Sequence, residues 1–425
     1  MAIPKFTNNI GVMIKNFQDQ AIAFGKSGNL TKALENAMKA YNIASGNLRT
    51  LEIINAIVTR QANWDKAIEF GIKALKIDPK SINALDTLAH AYGTKREWEK
   101  CGEYGKRALE LRDSLVMQNF KELPKILDIK NPQNRTKNII SFSLFGDKSY
   151  YCETAVINAQ ILKDVYPEGW ICRFYVDESV PQETLKRLEE NHAQIVFADE
   201  NMKKIPKTLW RFFAADDADV CRVVFRDADS IISDREAWCI NEWVQSNKLF
   251  HIIRDGASYT ELIMAGAWGM VAGVINMREL IGEYFASAKL DGRFDDQFFL
   301  RHKIWAYAKQ NLLSHDRIFN FLDAKEIAPN MPFDYSIQYI GGCEGNALMH
   351  SKAPAHVKDG TIVTWRLYTK ILPNLGKNLE LLIDQNERFI CEYKATVQNG
   401  QISFNCPIRY AKGFSNGLSR LQVIE

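Results

Sequence analysis

The stretch VVFRDADS, residues 223–230, decides how the chain is read. Val223, Val224 and Phe225 have the β-branched and aromatic character of a buried strand, and Arg226-Asp227-Ala228-Asp229-Ser230 leaves its end. Two carboxylates one residue apart at the exit of a buried strand are costly unless something cationic satisfies them. Carboxylate, water and phosphate oxygens together suit Mg2+ or Mn2+.

Outward from this stretch the same rhythm continues. The apolar runs IISFSLF (139–145), ICRFYV (171–176), QIVFA (194–198), LFHIIRD (249–255) and GMVAGVINM (269–277) read as strands. ETAVINAQILKDVYP (153–167) and PQETLKRLEENH (181–192) read as amphipathic helices between them. The alternation predicts a mostly parallel sheet with helices on its faces. In such sheets ligands bind at the C-terminal ends of the strands, where Asp227 and Asp229 stand.

A DxD by itself is also compatible with a solvated turn, and its position after an apolar strand argues against that. A phosphatase of the haloacid-dehalogenase type likewise begins with DxD after a strand. There Thr or Val follows one residue after the second Asp, whereas Ser230-Ile231 follow here, Arg226 precedes, and no later lysine motif stands out.

Upstream the pattern is helical and periodic. Ala33, Ala67 and Cys101 are 34 residues apart, as are Ala40, Ala74 and Ala108. Phe17/Leu51/Leu85, Phe24/Val58/Tyr92 and Leu30/Trp64/Trp98 keep the same interval. Small residues fit where two helices cross closely, and DKAIEFGIKALKIDP (65–79) reads as a second helix ended by Asp78-Pro79. A single helical pair cannot bury its own apolar face, so the units must stack. The alternative is a generic helical bundle. Downstream, TIVTWRLYTKIL, NLELLID, RFICEYKATV and QISFNCPIRY read as strands, with Asn399-Gly400 as a hairpin turn.

The bulk numbers bound the answer. At 425 residues two or three domains are expected. A net charge of +3 offers no strong field for nucleic acid or membrane. No apolar run is long enough for a spanning helix, and the first residues lack a signal-peptide core. The eight cysteines form no CxxC pair, which fits a reduced, cytoplasmic setting.

Two resemblances follow. Residues 14–113 resemble the tetratricopeptide repeats. Residues 136–346 resemble a bacterial-type glycosyltransferase group of the GT-A fold, carried by 139–181, LWRFFAADDADVCRVVFRDADSIISD within 209–255, MAGAWGM (264–270), FDDQFFL (294–300) and SHD (314–316). The resemblance implies Asp227 and Asp229 as the metal- and nucleotide-binding DxD, and Ser143, Leu144 and Phe145 around the nucleoside. It implies Trp210, Arg211 and Phe212 facing the nucleotide, and Gly266, Trp268 and Gly269 bordering donor sugar and acceptor. It places Asp296-Gln297 beside the reacting centre and takes a late histidine, His315 with His350 as second choice, as third metal ligand. Arg226 and Arg211 would add positive charge for phosphate.

Simpler roles compete. Trp210 and Phe212 can be core, Asp296 can cap a helix, and His315 can be a surface residue. Arg254-Asp255 can be an ion pair or grip sugar hydroxyls, and Asp216, Asp217 and Asp219 fit a solvated helix face better than a second metal site. The expected organisation is an α-helical repeat domain (1–120), an α/β GT-A domain (121–350), for which the resemblance implies a Rossmann-like mixed sheet, and an antiparallel β module (351–425). The expected activity is Mn2+- or Mg2+-dependent transfer of a sugar from a nucleoside diphosphate, UDP first, to a protein or glycan acceptor recruited by the repeats. A carboxylate such as Asp296 would serve as base if the transfer inverts; the Asp-Gln pair would position if it retains. A scaffold with a degenerate transferase domain, or the hydrolase above, are the alternatives.

Overall fold

The computed structural model describes residues 6–287, 292, 294–336, 339–344 and 346–424. The chain forms two compact units. The first comprises Met1–Glu122, Arg254–Leu262 and Asp316–Lys325; the second comprises Leu123–Ile253, Ile263–His315 and Glu326–Glu425.

The first unit is an array of six helices: α1 (Phe6–Lys26), α2 (Leu30–Ile43), α3 (Leu48–Arg60), α4 (Trp64–Ile77), α5 (Ile82–Thr94) and α6 (Trp98–Met117). The periodic columns explain it. Leu30, Trp64 and Trp98 each open a second helix, and the two small-residue columns are fully buried. Asn29, Asn47, Asn63 and Ser81 cap α2 to α5, each side chain accepting from the backbone amide three residues on. One column had escaped the sequence reading: Gly28, Ala62 and Arg96, again 34 apart, all take the left-handed conformation at φ 82°, 53° and 61°. Each ends a first helix, a turn that suits glycine and strains the other two.

The last helical pair is completed by residues far away in sequence. Phe319 lies where a side chain on Gly105 would have to go, 2.2 Å from an added Cβ. Arg317 places its guanidinium 4.3 Å from the centre of the Trp98 ring and pairs with Asp255 at 3.0 Å. Arg112, buried in α6, bonds Asp86 at 2.5 Å and the Thr260 carbonyl at 2.9 Å. A stack of repeats needs its terminal face covered, and these two excursions cover it.

The second unit is built on a seven-stranded sheet. In chain order its elements are β1 (Lys137–Leu144), α7 (Ser149–Val165), β2 (Trp170–Val176), α8 (Gln182–Glu190), β3 (Gln194–Phe197), β4 (Val220–Asp227), α9 (Asp234–Val244), β5 (Phe250–Arg254), β6 (Ala267–Val271), α10 (Met277–Ser287), α11 (Asp295–Phe299), α12 (Trp305–Ala308) and β7 (Leu312–Asp316). The order is β3-β2-β1-β4-β6-β5-β7. β1 to β4 are parallel, while β6 runs antiparallel to both β4 and β5. The sheet is therefore mixed, as the GT-A resemblance implied, although the alternation alone suggested a mostly parallel one. Phe212, Phe225, Trp268 and Phe299 pack ring against ring beneath its C-terminal edge.

Two small antiparallel sheets follow, from β8 (Asn346–Lys352), β9 (Ile362–Leu375), β10 (Leu381–Thr396), β11 (Gln401–Pro407) and β12 (Ser419–Ile424), with a short helix α13 (Ile408–Ala411) after β11. NLELLID and RFICEYKATV are one strand, β10, and not two. Asn399 and Gly400 form the expected tight turn, at φ 52° and 69°. The strands it joins separate beyond one bridge: β10 pairs with β9, and β11 with β8.

Candidate functional site

β1 and β4 end side by side, with Ser143 in register with Asp227. On the other side of Asp227 comes the start of β6. A Cβ on Gly266 would fall 2.0 Å from the Asp227 carboxylate, so only glycine leaves room there. Arg211, buried in a 3-10 segment (Lys207–Asp216), gathers the edge. Its Nη1 pairs with Asp227 at 2.8 Å, and its Nη2 with Asp296 at 2.9 Å and with the Ala265 carbonyl at 3.2 Å. Its own amide donates to Ser143 Oγ at 3.0 Å.

Asp296 and Gln297 act locally. Asp296 Oδ1 accepts from the Gln297 amide at 2.9 Å. Gln297 donates to the Ile263 carbonyl at 2.5 Å and accepts from the Ala265 amide at 2.7 Å, fixing the loop before Gly266. Burial pushes the Asp296 carboxyl above its ordinary range, against the pull of Arg211.

Asp229 is placed differently. Among the described residues its side chain meets neutral groups: the Tyr150 hydroxyl and the Cys343 thiol, each at 3.4 Å. Burial, then the neighbouring Asp227 charge, raise its pKa. Residues 343–344 are laid across the motif, since Ser230 bridges Cys343 and the Glu344 amide donates to the Asp229 carbonyl at 2.8 Å. Glu344 in turn grips the buried Arg409 with both oxygens, at 2.5 and 2.7 Å. Sequence reading missed Tyr150, Cys343 and Glu344. They are remote along the chain and belong to no motif.

Several expected positions fall elsewhere. His315 is fully buried, with Nε2 2.7 Å from Glu242 and Nδ1 2.8 Å from His251, so both ring nitrogens are engaged away from the DxD carboxylates. His350 lies on β8 with Nδ1 3.0 Å from Ser403 Oγ. Neither joins Asp227 and Asp229, and among the described residues no group of three or more His, Cys, Asp or Glu side chains could hold an ion. Arg226 points inward, 3.3 Å from the buried Glu236 and 2.9 Å from the Gly266 carbonyl, so its charge is neutralised within the core.

Trp210, Phe212, Leu144 and Trp268 are buried, and the Trp210 indole donates to the Met202 carbonyl at 2.7 Å. Phe145 remains 37% exposed, with Lys207 over its ring at 5.4 Å. Gly269 is packed against the Val223 carbonyl and Trp243. Asp216, Asp217 and Asp219 form no helix face. Asp216 caps α10 by accepting from the Met277 and Arg278 amides, Asp217 pairs with Arg173 and Asp219 with Lys137. Arg254 and Asp255 bind different partners in the first unit, Arg254 the Leu262 carbonyl and Asp255 Arg317.

The arrangement fits a cation through two carboxylates and not three. Mg2+-like ions keep several waters and bind through one or two carboxylates plus substrate phosphates, so Asp227 and Asp229 are a sufficient protein share.

No family model and no curated protein matches the sequence. Among solved structures the chain is similar to the Arabidopsis OM64 TPR domain, at 18% identity and TM-score 0.24, over 25% of this chain and 87% of that one. It is similar to the TPR2B domain of yeast Sti1 in its Hsp70 complex, at 17% identity and TM-score 0.24, over 25% and 86%. It is similar to the Thermobaculum terrenum O-GlcNAc transferase at 14% identity and TM-score 0.26, over 47% of this chain and 42% of that one. No described helix is long and apolar enough to cross a membrane.

Proposed function

We propose that the second unit is a GT-A-type glycosyltransferase that uses Mn2+ or Mg2+ and a nucleoside-diphosphate sugar, UDP-sugars first. The observation that carries this is Asp229, a partly buried carboxylate beside a second one, whose side chain among the described residues meets the neutral Tyr150 hydroxyl and Cys343 thiol. Such a pair is satisfied by a divalent ion. When bound, the ion would stabilise charge on the departing diphosphate.

The chain's own residues do the rest. Asp227 and Asp229 hold the ion's protein side. Arg211 offers a fixed cation at the same edge, oriented by Asp296 and by Ser143. With one oxygen on Arg211 and the other on the Gln297 amide, Asp296 serves as a positioning residue and not as the acceptor's base. Gln297 fixes the backbone that leads to Gly266, which leaves space beside Asp227. The helical array would hold a peptide segment of an acceptor or partner protein; the Sti1 domain, a similar array, was solved as a complex with Hsp70.

The test is a donor panel with and without Mn2+, for wild type and Asp229→Ala. Metal-dependent turnover of one donor, reduced by about 10²–10³-fold or more in the variant, is expected. Failure of the folded protein to bind any donor in either condition ends the enzyme reading.

A further inference from the structure

A cleft of about 710 Å3 opens in the second unit, away from Arg211 and Asp296. Its volume lies within the roughly 300–1,000 Å3 typical of small-ligand sites. Tyr150 in the first turn of α7 touches Asp229, whereas Val165 at the last lines the far end of the cleft, roughly 22 Å away along the helix. The near end is close to the motif, since Ile231 stands two residues after Asp229, within about 7 Å of chain. The near wall is Ile231-Ile232, directly after the DxD segment, and the far wall is the 374–379 turn.

We propose that this cleft binds a neutral saccharide chain, at a site separate from the donor site. Its walls combine apolar surface from Val165, Ile231, Met331 and the half-buried Trp238 with a polar rim of Asp164, Asp234, Asn241, Asn374 and Lys377. An entirely apolar ligand would strip water from those carboxylates and amides without replacing its hydrogen bonds. The lining does not favour an anion: Asp164, which accepts from Asn374 at 3.3 Å, and Asp234 equal Lys377 and the buried Arg235 in number, and Arg409 is neutralised by Glu344. A pyranose matches both halves: its C–H face lies on an indole, and its hydroxyls donate to carboxylates and exchange bonds with amides. The proposal rests on the glycosyltransferase reading only for why a sugar chain would be at hand, as acceptor or growing product.

The test is isothermal titration of chitotriose, cellotriose, maltotriose and mannotriose into the full chain and its Trp238→Ala, Asn241→Ala and Asp229→Ala variants. At least one trisaccharide should bind wild type and Asp229→Ala equally. Its affinity should fall about tenfold, or 1.4 kcal/mol, in Trp238→Ala and several-fold in Asn241→Ala. Asn241 is exposed, so that variant decides the matter should Trp238→Ala not fold. No binding of any of the four to wild type overturns the proposal, as does binding lost in Asp229→Ala but kept in Trp238→Ala and Asn241→Ala. Saccharide binding without donor turnover would leave the cleft standing and remove the glycosyltransferase reading. Donor turnover without saccharide binding would do the reverse.

Discussion

The helical array and the mixed sheet solve the burial problem in opposite ways. In the array the residues that pack together recur at a fixed interval, as with Ala33, Ala67 and Cys101, so each repeat meets its neighbour by the same contacts. At the sheet edge the packed residues have no common interval. Asp227, Arg211, Asp296 and Gly266 come from four separate segments. A regular period builds a scaffold, and a reactive edge needs convergence of unlike groups. The end of the array, where Phe319 and Arg317 close the last pair, follows the second rule.

The comparison breaks most readily at Glu344, which holds residues 343–344 and α13 together. Glu344→Ala leaves Arg409 buried with the Pro373 carbonyl but without its carboxylate, and should lower stability by about 3–5 kcal/mol in chemical denaturation. If the unfolding curve instead stays put, convergence at this edge is not what holds the second unit. Gly266→Ala tests the same edge by function. Displacing Asp227 by about an ångström should reduce donor turnover on the order of 10²-fold, with circular dichroism unchanged.

In the array the expected effects are smaller. Gly105→Ala drives a methyl into Phe319 and should cost about 1–3 kcal/mol, more than an exposed helix substitution, which by propensity alone would favour alanine. Ala62→Gly relieves a left-handed residue at the position Gly28 fills in the preceding repeat, and should raise stability by about 1 kcal/mol. A neutral or destabilising result there would mean that the column is not under strain.

The pH dependence separates the two units most finely. Asp229's raised pKa marks a carboxylate that favours its proton, so that part of stability is present at low pH and fades as pH rises through the folded value. A divalent ion reverses this by stabilising the charged form. The rise in Tm on adding Mn2+ should therefore be full near pH 7. It should shrink as pH falls toward the raised value, before ordinary aspartates near about 3.9 take up protons. The same titration in Asp229→Ala should lose the Mn2+ effect at every pH.

Legible in the residues themselves were the repeat interval, the strand that ends at Asp227 and the Asn399-Gly400 turn. These depend on contacts within one repeat or a few residues, which composition and spacing record directly. Packing across the chain reverses β6, turns Arg226 inward to Glu236 and pairs His315 with Glu242 and His251. It alone set Tyr150, Cys343 and Glu344 against the DxD segment. The direction in which a strand side chain points, and the partner it meets, depend on segments tens to hundreds of residues away. A local pattern fixes which residues can be buried, and only the packed chain fixes what each buried charge is buried against.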